Sequence, residues 1–133
     1  QLEEMAKQDP GIDLMIDQRT IDLSKNPGGR WILDSRLGWH FCPQAFKVLL
    51  DCDTQTRLDR IKKRDNVDFS EALYSTEHRE KAIRERYLRL YGIRDFTSAH
   101  LFDFVAHTAV ASADAVADQI LVAYKEWHAR HPN

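Results

Sequence analysis

The chain has 133 residues, of which 43% are hydrophobic and 30% are charged, and its formal net charge is −2 at pH 7. This length predicts one domain or part of one over residues 1–133, and the apolar content is enough for a core, which excludes a disordered chain. The near-neutral charge argues against binding to nucleic acid, the lack of a long apolar run argues against a membrane span, and two cysteines without C-x-x-C spacing indicate a reducing, cytoplasmic setting.

The first part of the chain is predicted to be helical. The sequence starts at Gln1 inside an apparent helix, QLEEMAKQ, which indicates that the chain is a piece, either cut or incomplete. Residues 12–25 carry apolar side chains at helical spacing, and the proline and glycines of NPGG at 26–29 predict the end of that helix.

Three short apolar runs predict the strands of a sheet. They are RWILD (30–34), FKVLLDC (46–52) and LFDFVAHT (101–108). Their nearly continuous apolar character is typical of strands covered on both faces, as in a parallel sheet between helices. Helical patterns separate the runs, so the predicted fold class is a layered α/β domain with a mainly parallel sheet.

The second half of the chain contains three predicted helices. The first covers residues 54–64. Asp68, with Glu71 three residues later, has the pattern of a helix N-cap and its capping-box partner, and predicts a long helix that ends at Gly92. A last helix is predicted over 112–127, followed by a frayed tail.

The segment DSRLGWHF follows the first predicted strand. Ligands of parallel sheets bind at the carboxyl ends of the strands, so Asp34 and Arg36 would lie at the ligand-binding edge. Other interpretations stay open: Arg36 pairs with a nearby carboxylate, and Asp34 caps the turn instead of orienting Arg36 or facing a cation. Trp39 and Phe41 are expected to pack beneath the turn and hold Arg36 in one orientation, with base stacking by Trp39 as the alternative.

Arginines are concentrated in and beside two of the predicted helices. A guanidinium group binds phosphate through two parallel hydrogen bonds, which lysine cannot match, so the pattern predicts a site for a phosphorylated small molecule. The alternative is a solvated helix surface, because glutamates alternate with these arginines. The arginines are Arg57, Arg60, Arg64, Arg79, Arg84, Arg86, Arg89 and Arg94, and the predicted site takes three of them together with Arg36: Arg57, Arg79 and Arg86.

Four segments, in their order and spacing, resemble the cytidylate-kinase-like family of P-loop nucleoside monophosphate kinases. They are DPGIDLMIDQR (9–19), WILDSRLGWHFCPQAFKVLLDCD (31–53), RERYLRLYGI (84–93) and LFDFVAHT (101–108), and the resemblance covers nearly the whole chain. It implies phosphoryl transfer from ATP to CMP or dCMP. It also implies a doubly wound parallel sheet, an acceptor-nucleotide region and a mobile arginine-rich lid over residues 68–92.

The resemblance implies roles for individual residues. Arg36 matches an arginine that follows a strand and contacts the acceptor nucleotide, and Arg57 matches a phosphate-contacting arginine early in the next helix. The arginines of the lid match residues that reach the acceptor's sugar, base or phosphates. The predicted catalytic residues are Arg36, Arg57, Arg79 and Arg86, and the predicted substrate-binding residues are these four with Asp34 and Arg84.

The chain departs from the family pattern at several positions. Ser35 stands where many members have glycine, and His107 replaces an acidic residue after the last strand. Ile83 stands where some relatives place an aspartate that binds the acceptor ribose. This last departure leaves the choice between CMP and dCMP open.

The family's phosphate-binding loop, G-x-x-x-x-G-K-[ST], is absent from these 133 residues. In the family this loop and its strand precede the region that begins at Gln1, so the implied ATP and Mg²⁺ would bind mostly outside this chain. The six histidines show no metal-ligand spacing, and no metal site is predicted. An upstream segment, or a second copy in a homo-oligomer, would complete the sheet, because unpaired strand edges are costly.

Three functions agree with the sequence. The first is a cytidylate-kinase-like phosphotransferase of which this chain carries the acceptor and lid part, a part that alone would be inactive. The second is a nucleotide-binding domain without P-loop or kinase activity. The third is an interaction domain whose arginine-rich helices form a partner surface. The expected ligands are small nucleotides, with neither nucleic acid nor membrane as a partner.

Overall fold

The chain folds as two units. The structure is a computed structural model in which residues 10–25 and 29–132 are described. The first unit is Gln1–Lys47 and the second is Val48–Asn133. The second unit contains the sheet and most of the predicted site arginines, so it positions most of the candidate site.

The first unit contains two helices that contact each other. Helix α1 spans Pro10–Ser24, and the short helix α2 spans Gly38–Phe41. Helix α1 confirms the helix predicted in this region. The helix predicted at QLEEMAKQ and the first three residues of NPGG lie outside the described residues. Leu37 and Cys42, which flank α2, are buried.

The strand predicted at residues 30–34 is wrong. These residues are irregular, and Ile32 is 100% exposed and Trp31 54% exposed. A strand exists only where a neighbouring segment pairs with its backbone, and no described segment pairs with this one. The apolar run therefore has no ladder, Leu33 is half-buried, and Asp34 and Arg36 do not follow a strand end.

A parallel pair of short strands organises the second unit. Strand β1 spans Val48–Asp51 and strand β2 spans Phe104–His107, in a register that places Asp51 opposite His107. Both strands lie within predicted apolar runs and confirm them. A parallel pair needs a crossover connection, which here consists of helices.

Three α-helices complete the second unit. Helix α3 spans Thr54–Asp65 and helix α4 spans Phe69–Tyr91, and together they form the crossover with a short 3₁₀ helix at Ala99–Leu101. Helix α5 spans Ala113–Arg130. Helix α3 packs on α4, and α5 packs on β2. All three α-helices confirm the predicted ones.

Local capping groups begin and end these helices. The Asp68 carboxylate accepts a hydrogen bond from the backbone N–H of Glu71 at 2.8 Å, as the capping pattern predicts. Gly92 ends α4 with a φ of 66°, a left-handed conformation that glycine adopts without strain. Ser112 caps α5 through its hydroxyl oxygen.

Helix α5 continues past its predicted end, so the prediction of a frayed tail directly after Trp127 is wrong. The His131 N–H donates to the Trp127 carbonyl oxygen at 3.0 Å, and the two rings stack with their centroids 4.5 Å apart. These contacts satisfy a last-turn carbonyl that otherwise has no partner in a helix. Among the described residues, no helix combines the length and the apolar character needed to cross a membrane.

The α/β class is confirmed by α-helices together with a small parallel sheet, on which α5 packs. The sheet of the described residues has two strands. Leu50 in β1 is 62% exposed, so the expectation that this strand is covered on both faces is wrong, since no described helix packs over that position. The buried residues of the second unit are Leu58, Ala72, Ile83, Tyr87, Ile93, Phe96, Ala106 and Val116.

Candidate functional site

The carboxyl ends of β1 and β2 form a polar edge. Asp51 and His107 are register partners at these ends, and Asp51 Oδ2 lies 3.2 Å from His107 Nδ1. Both side chains are more than half exposed. Because ligands of parallel sheets bind at the carboxyl ends of the strands, this accessible edge is the expected place for a ligand.

Arg60 on α3 anchors this edge. Its Nη2 donates to the Thr108 carbonyl oxygen at 2.7 Å and its Nη1 to the Thr108 hydroxyl at 3.1 Å. The Thr108 N–H in turn donates to the Asp51 carbonyl oxygen at 2.8 Å, so one guanidinium ties α3 to the ends of both strands. Arg60 was not among the predicted site residues. No signal in the sequence separates it from Arg57 and Arg64, which lie in the same helix.

Asp53 determines where α3 begins. Its Oδ1 accepts a hydrogen bond from the Thr56 N–H at 2.8 Å, and its Oδ2 accepts one from the Thr56 hydroxyl at 2.7 Å. These bonds, the backbone one most of all, lower the pKa of Asp53 below its usual 3.8, and the positive charge of Arg60 contributes in the same direction. The ionised carboxylate thus fixes the first turn of α3, and this turn contains Arg57.

Arg57 pairs with a carboxylate of the neighbouring helix. Its Nη1 lies 2.6 Å from Glu80 Oε1 on α4, and the two side chains are 43% and 41% exposed. The Nε of Arg57 is buried and has no hydrogen-bond partner among the described residues. The residue predicted to contact phosphate is therefore held by an internal anion.

Helix α4 presents its predicted arginines on two faces. Arg79 and Arg86 are seven residues apart, so they lie on one face and two turns from each other. Arg84 lies on another face, where its guanidinium carbon is 5.2 Å from the centroid of the Phe96 ring. The structure thus brings Arg79 and Arg86 to one side of the helix and gives Arg84 a packing contact with the segment after α4.

Position 83 belongs to the core. Ile83 is 7% exposed on α4. Its side chain therefore contributes to the packing of the second unit.

The remaining predicted site residues lie in the first unit. Asp34 and Arg36 are exposed in the irregular segment before α2. Trp39 and Phe41 of α2 each meet the His40 ring edge-on, with centroids 5.5 and 5.1 Å apart. Support of Arg36 by these two aromatic side chains stays a prediction.

A shallow groove of about 540 Å³ lies between β2 and α5. None of the predicted site residues lines it. Within residues 10–25 and 29–132, no group of three His, Cys, Asp or Glu side chains is placed to hold a metal ion. The groove is lined by Phe104, Asp118, Gln119, Val122, Ala123 and Glu126.

Together these features define an α/β protein with arginines on the helices that follow the carboxyl end of a parallel strand, an arrangement suited to phosphate groups. The chain belongs to the cytidylate kinase-like family, whose model matches residues 2–110. The matched range includes every predicted site residue.

Individual relatives cover most of the chain. It is 35% identical over 122 residues to a cytidylate kinase of Ignicoccus hospitalis, a match of 90% of this chain and 69% of the relative. It is 32% identical over 117 residues to a cytidylate kinase of Pyrococcus horikoshii, a match of 87% of this chain and 59% of the relative. It is 31% identical over 129 residues to an S-adenosylmethionine-dependent nucleotide dehydratase of Lacinutrix mariniflava, a match of 97% of this chain and 27% of that protein. No solved structure is significantly similar to the chain.

Proposed function

We propose that this chain is the acceptor and lid part of a nucleoside monophosphate kinase that transfers the γ-phosphate of ATP to CMP or dCMP. The observation that carries the proposal is the family match over residues 2–110, which contains the arginines of α3 and α4. The relatives named cytidylate kinase support the same acceptor class. In this proposal the two-stranded sheet is part of a larger, doubly wound parallel sheet.

The proposed mechanism uses positive charge and positioning. Arg57, at the start of α3, binds an acceptor phosphate, and Arg79 and Arg86 bind the acceptor from their shared face of α4. Arg36 contacts the acceptor nucleotide, with Asp34 beside it. The region 68–92 acts as the lid, whose closure excludes water from the phosphates. A general base is not required, because the attacking oxygen is already an anionic phosphate oxygen.

ATP with Mg²⁺ is the phosphoryl donor in this proposal, as the family resemblance implies. Mg²⁺ neutralises charge on the transferred phosphoryl group when it is bound. The described residues hold no cluster of three potential metal ligands, so we assign no residue of this chain to the metal. The exposed side chains of Asp51 and His107, at the edge that Arg60 anchors, are available for nucleotide contacts.

Isothermal titration calorimetry with CMP, dCMP, UMP and AMP tests whether the chain binds an acceptor nucleotide and which one it prefers. We expect Arg57→Ala to weaken CMP binding about tenfold or more, the scale of a lost charge-assisted hydrogen bond. Arg130→Ala is the matched control, because it removes the same charge from an exposed side chain at the end of α5. Equal affinities for the wild type and Arg57→Ala would remove Arg57 from the site.

A second candidate function is a nucleotide-binding domain without kinase activity. The similarity to the nucleotide dehydratase over 97% of this chain favours it, because this region then occurs in a protein whose name is not that of a kinase. Formation of CDP from CMP and ATP by the full-length protein supports the kinase. CMP binding without CDP formation supports the second candidate, and the absence of nucleotide binding supports an interaction domain.

We also propose that the protein acts in the cytoplasm. A separate proposal concerns the sheet: a second copy or a further segment pairs with β1. Among the described residues β1 pairs with β2 alone, so its other edge has no strand beside it, and this open edge supports the pairing. Light scattering coupled to size exclusion measures whether the chain is a monomer, and a strictly monomeric chain would rule out the second copy.

A further inference from the structure

The Arg57–Glu80 ion pair holds two crossover helices together at the predicted phosphate site. Arg57 lies in the first turn of α3 and Glu80 in the middle of α4, and the two charged atoms are 2.6 Å apart. Both side chains remain more than 40% exposed, so the pair can exchange with a solute.

The ion pair involves one terminal nitrogen of the Arg57 guanidinium. Among the described residues, Glu80 is the ion-pair partner of Arg57 through Nη1. The Nε is buried and has no partner there. A phosphate engages a guanidinium best through two adjacent N–H groups, in the planar, two-pronged way that arginine offers. Because Nε is buried, the two-pronged edge left for a phosphate is the one formed by Nη1 and Nη2, and Glu80 already holds Nη1.

We propose that Glu80 competes with the nucleotide phosphate for Arg57, so that the α3–α4 ion pair opens when phosphate binds. This inference rests on the proposed function, because it takes Arg57 as a phosphate ligand. Glu80 is an anion attached to the protein, and it already occupies the cation that the phosphate would bind. Phosphate binding replaces one anion with another and releases α4, the helix of the predicted lid, from its tie to α3.

In this proposal Glu80 is a positioning residue that holds Arg57 and lowers the affinity of the site for phosphate ligands. Removing its charge leaves Arg57 without a competing anion, so phosphate ligands bind more tightly. A merely structural ion pair has the opposite consequence, because its loss would disorder Arg57 and weaken binding. The sign of the change in affinity therefore separates the two roles.

The experiment compares Glu80→Gln with the wild type in the full chain, using calorimetric titration with CMP and with cytidine. We expect Glu80→Gln to bind CMP about two- to fivefold more tightly, the scale of a partly exposed ion pair. Cytidine affinity should stay unchanged, because cytidine has no phosphate. Glu85→Gln is the matched control, since it removes an exposed carboxylate from another face of the same helix and should leave both affinities unchanged.

The outcomes distinguish this inference from the proposed function. Unchanged or weaker CMP binding by Glu80→Gln, with Arg57→Ala still impaired, would overturn the competition and leave the proposed acceptor site standing. Equal CMP binding by the wild type and Arg57→Ala, or no CMP binding by the wild type, would overturn both. Tighter CMP binding by Glu85→Gln as well would show a general charge effect and would also overturn the competition. Far-UV circular dichroism of each variant checks that the helix content of the chain is unchanged.

Discussion

The apolar run of residues 30–34 and the apolar run of β1 have similar sequences and different structures. WIL in the first is followed by an aspartate, as VLL in the second is. The first run is irregular, with Ile32 fully exposed, whereas the second pairs in parallel with β2. The two runs therefore have similar local composition. Whether such a run becomes a strand depends on whether another segment of the chain is available to pair with it.

This contrast separates two kinds of structural signal. Helices α3, α4 and α5 form their hydrogen bonds internally, and their caps at Asp53, Asp68 and Ser112 lie next to the helices that they begin. A strand has no internal hydrogen bonds, so its apolar residues indicate only a strand propensity. The strand forms only when another segment of the chain pairs with its backbone.

The largest effect that tests this contrast is expected in the core of the second unit. Leu58 on α3 is 2% exposed, and Leu58→Ala should lower the free energy of unfolding by about 2–5 kcal/mol. Leu88→Ala on α4 makes the same chemical change at a residue that is 43% exposed, and should cost about 1 kcal/mol or less. Urea denaturation followed by circular dichroism measures both. Similar losses for the two variants would show that the core is not where the structure places it.

A smaller effect is expected from a helix cap. Ser112→Ala removes the hydroxyl that accepts a hydrogen bond from the Ala115 N–H at 3.1 Å, and should lower the free energy of unfolding by about 1 kcal/mol. Ser70→Ala is the control, because Ser70 is exposed within the first turn of α4 and is not its cap. If both serine variants are equally stable, α5 does not depend on its local cap, and the contrast with the strands is weaker than stated.

The pH dependence of stability tests the cap of α3. The folded-state pKa of Asp53 lies below the usual value of 3.8 because Thr56 donates two hydrogen bonds to the carboxylate. The stability from this ionised group is therefore fully present above its unfolded pKa and is lost as pH falls below about 4 through the lower folded pKa. Asp53→Asn keeps a good cap without a titrating group, so its stability should fall less steeply between about pH 4 and pH 2. If the free energies of unfolding of the wild type and Asp53→Asn fall equally steeply over this pH range, Asp53 does not contribute to the acid sensitivity of the protein.

The smallest effect is expected in the exposed run. Ile32→Ser should change the free energy of unfolding by less than about 0.5 kcal/mol, because Ile32 is 100% exposed. Ile83→Ser, at a position that is 7% exposed, should cost more than about 2 kcal/mol. A large loss for Ile32→Ser would show that residues 30–34 are covered in solution, and the comparison of the two runs would then fail.

The candidate site was predictable in part. Arginine spacing pointed to α3 and α4, and the structure places Arg79 and Arg86 on one helix face. The sequence did not distinguish Arg60 from its neighbours, because its hydrogen bonds to Thr108 join residues that are 48 positions apart. The partner of Arg57 was equally hidden, since several glutamates of α4 were available and the packing of two helices selects Glu80.

The sequence by itself determined the helices of this protein, their caps and the family to which the chain belongs, because these depend on neighbouring residues and on a linear pattern. The tertiary structure alone decided which apolar runs become strands, which α4 positions are buried and which arginines meet a carboxylate or a carbonyl oxygen. The physical reason is that pairing, burial and ion pairing join residues distant in the chain, and their free energy exists only once the fold has brought those residues together.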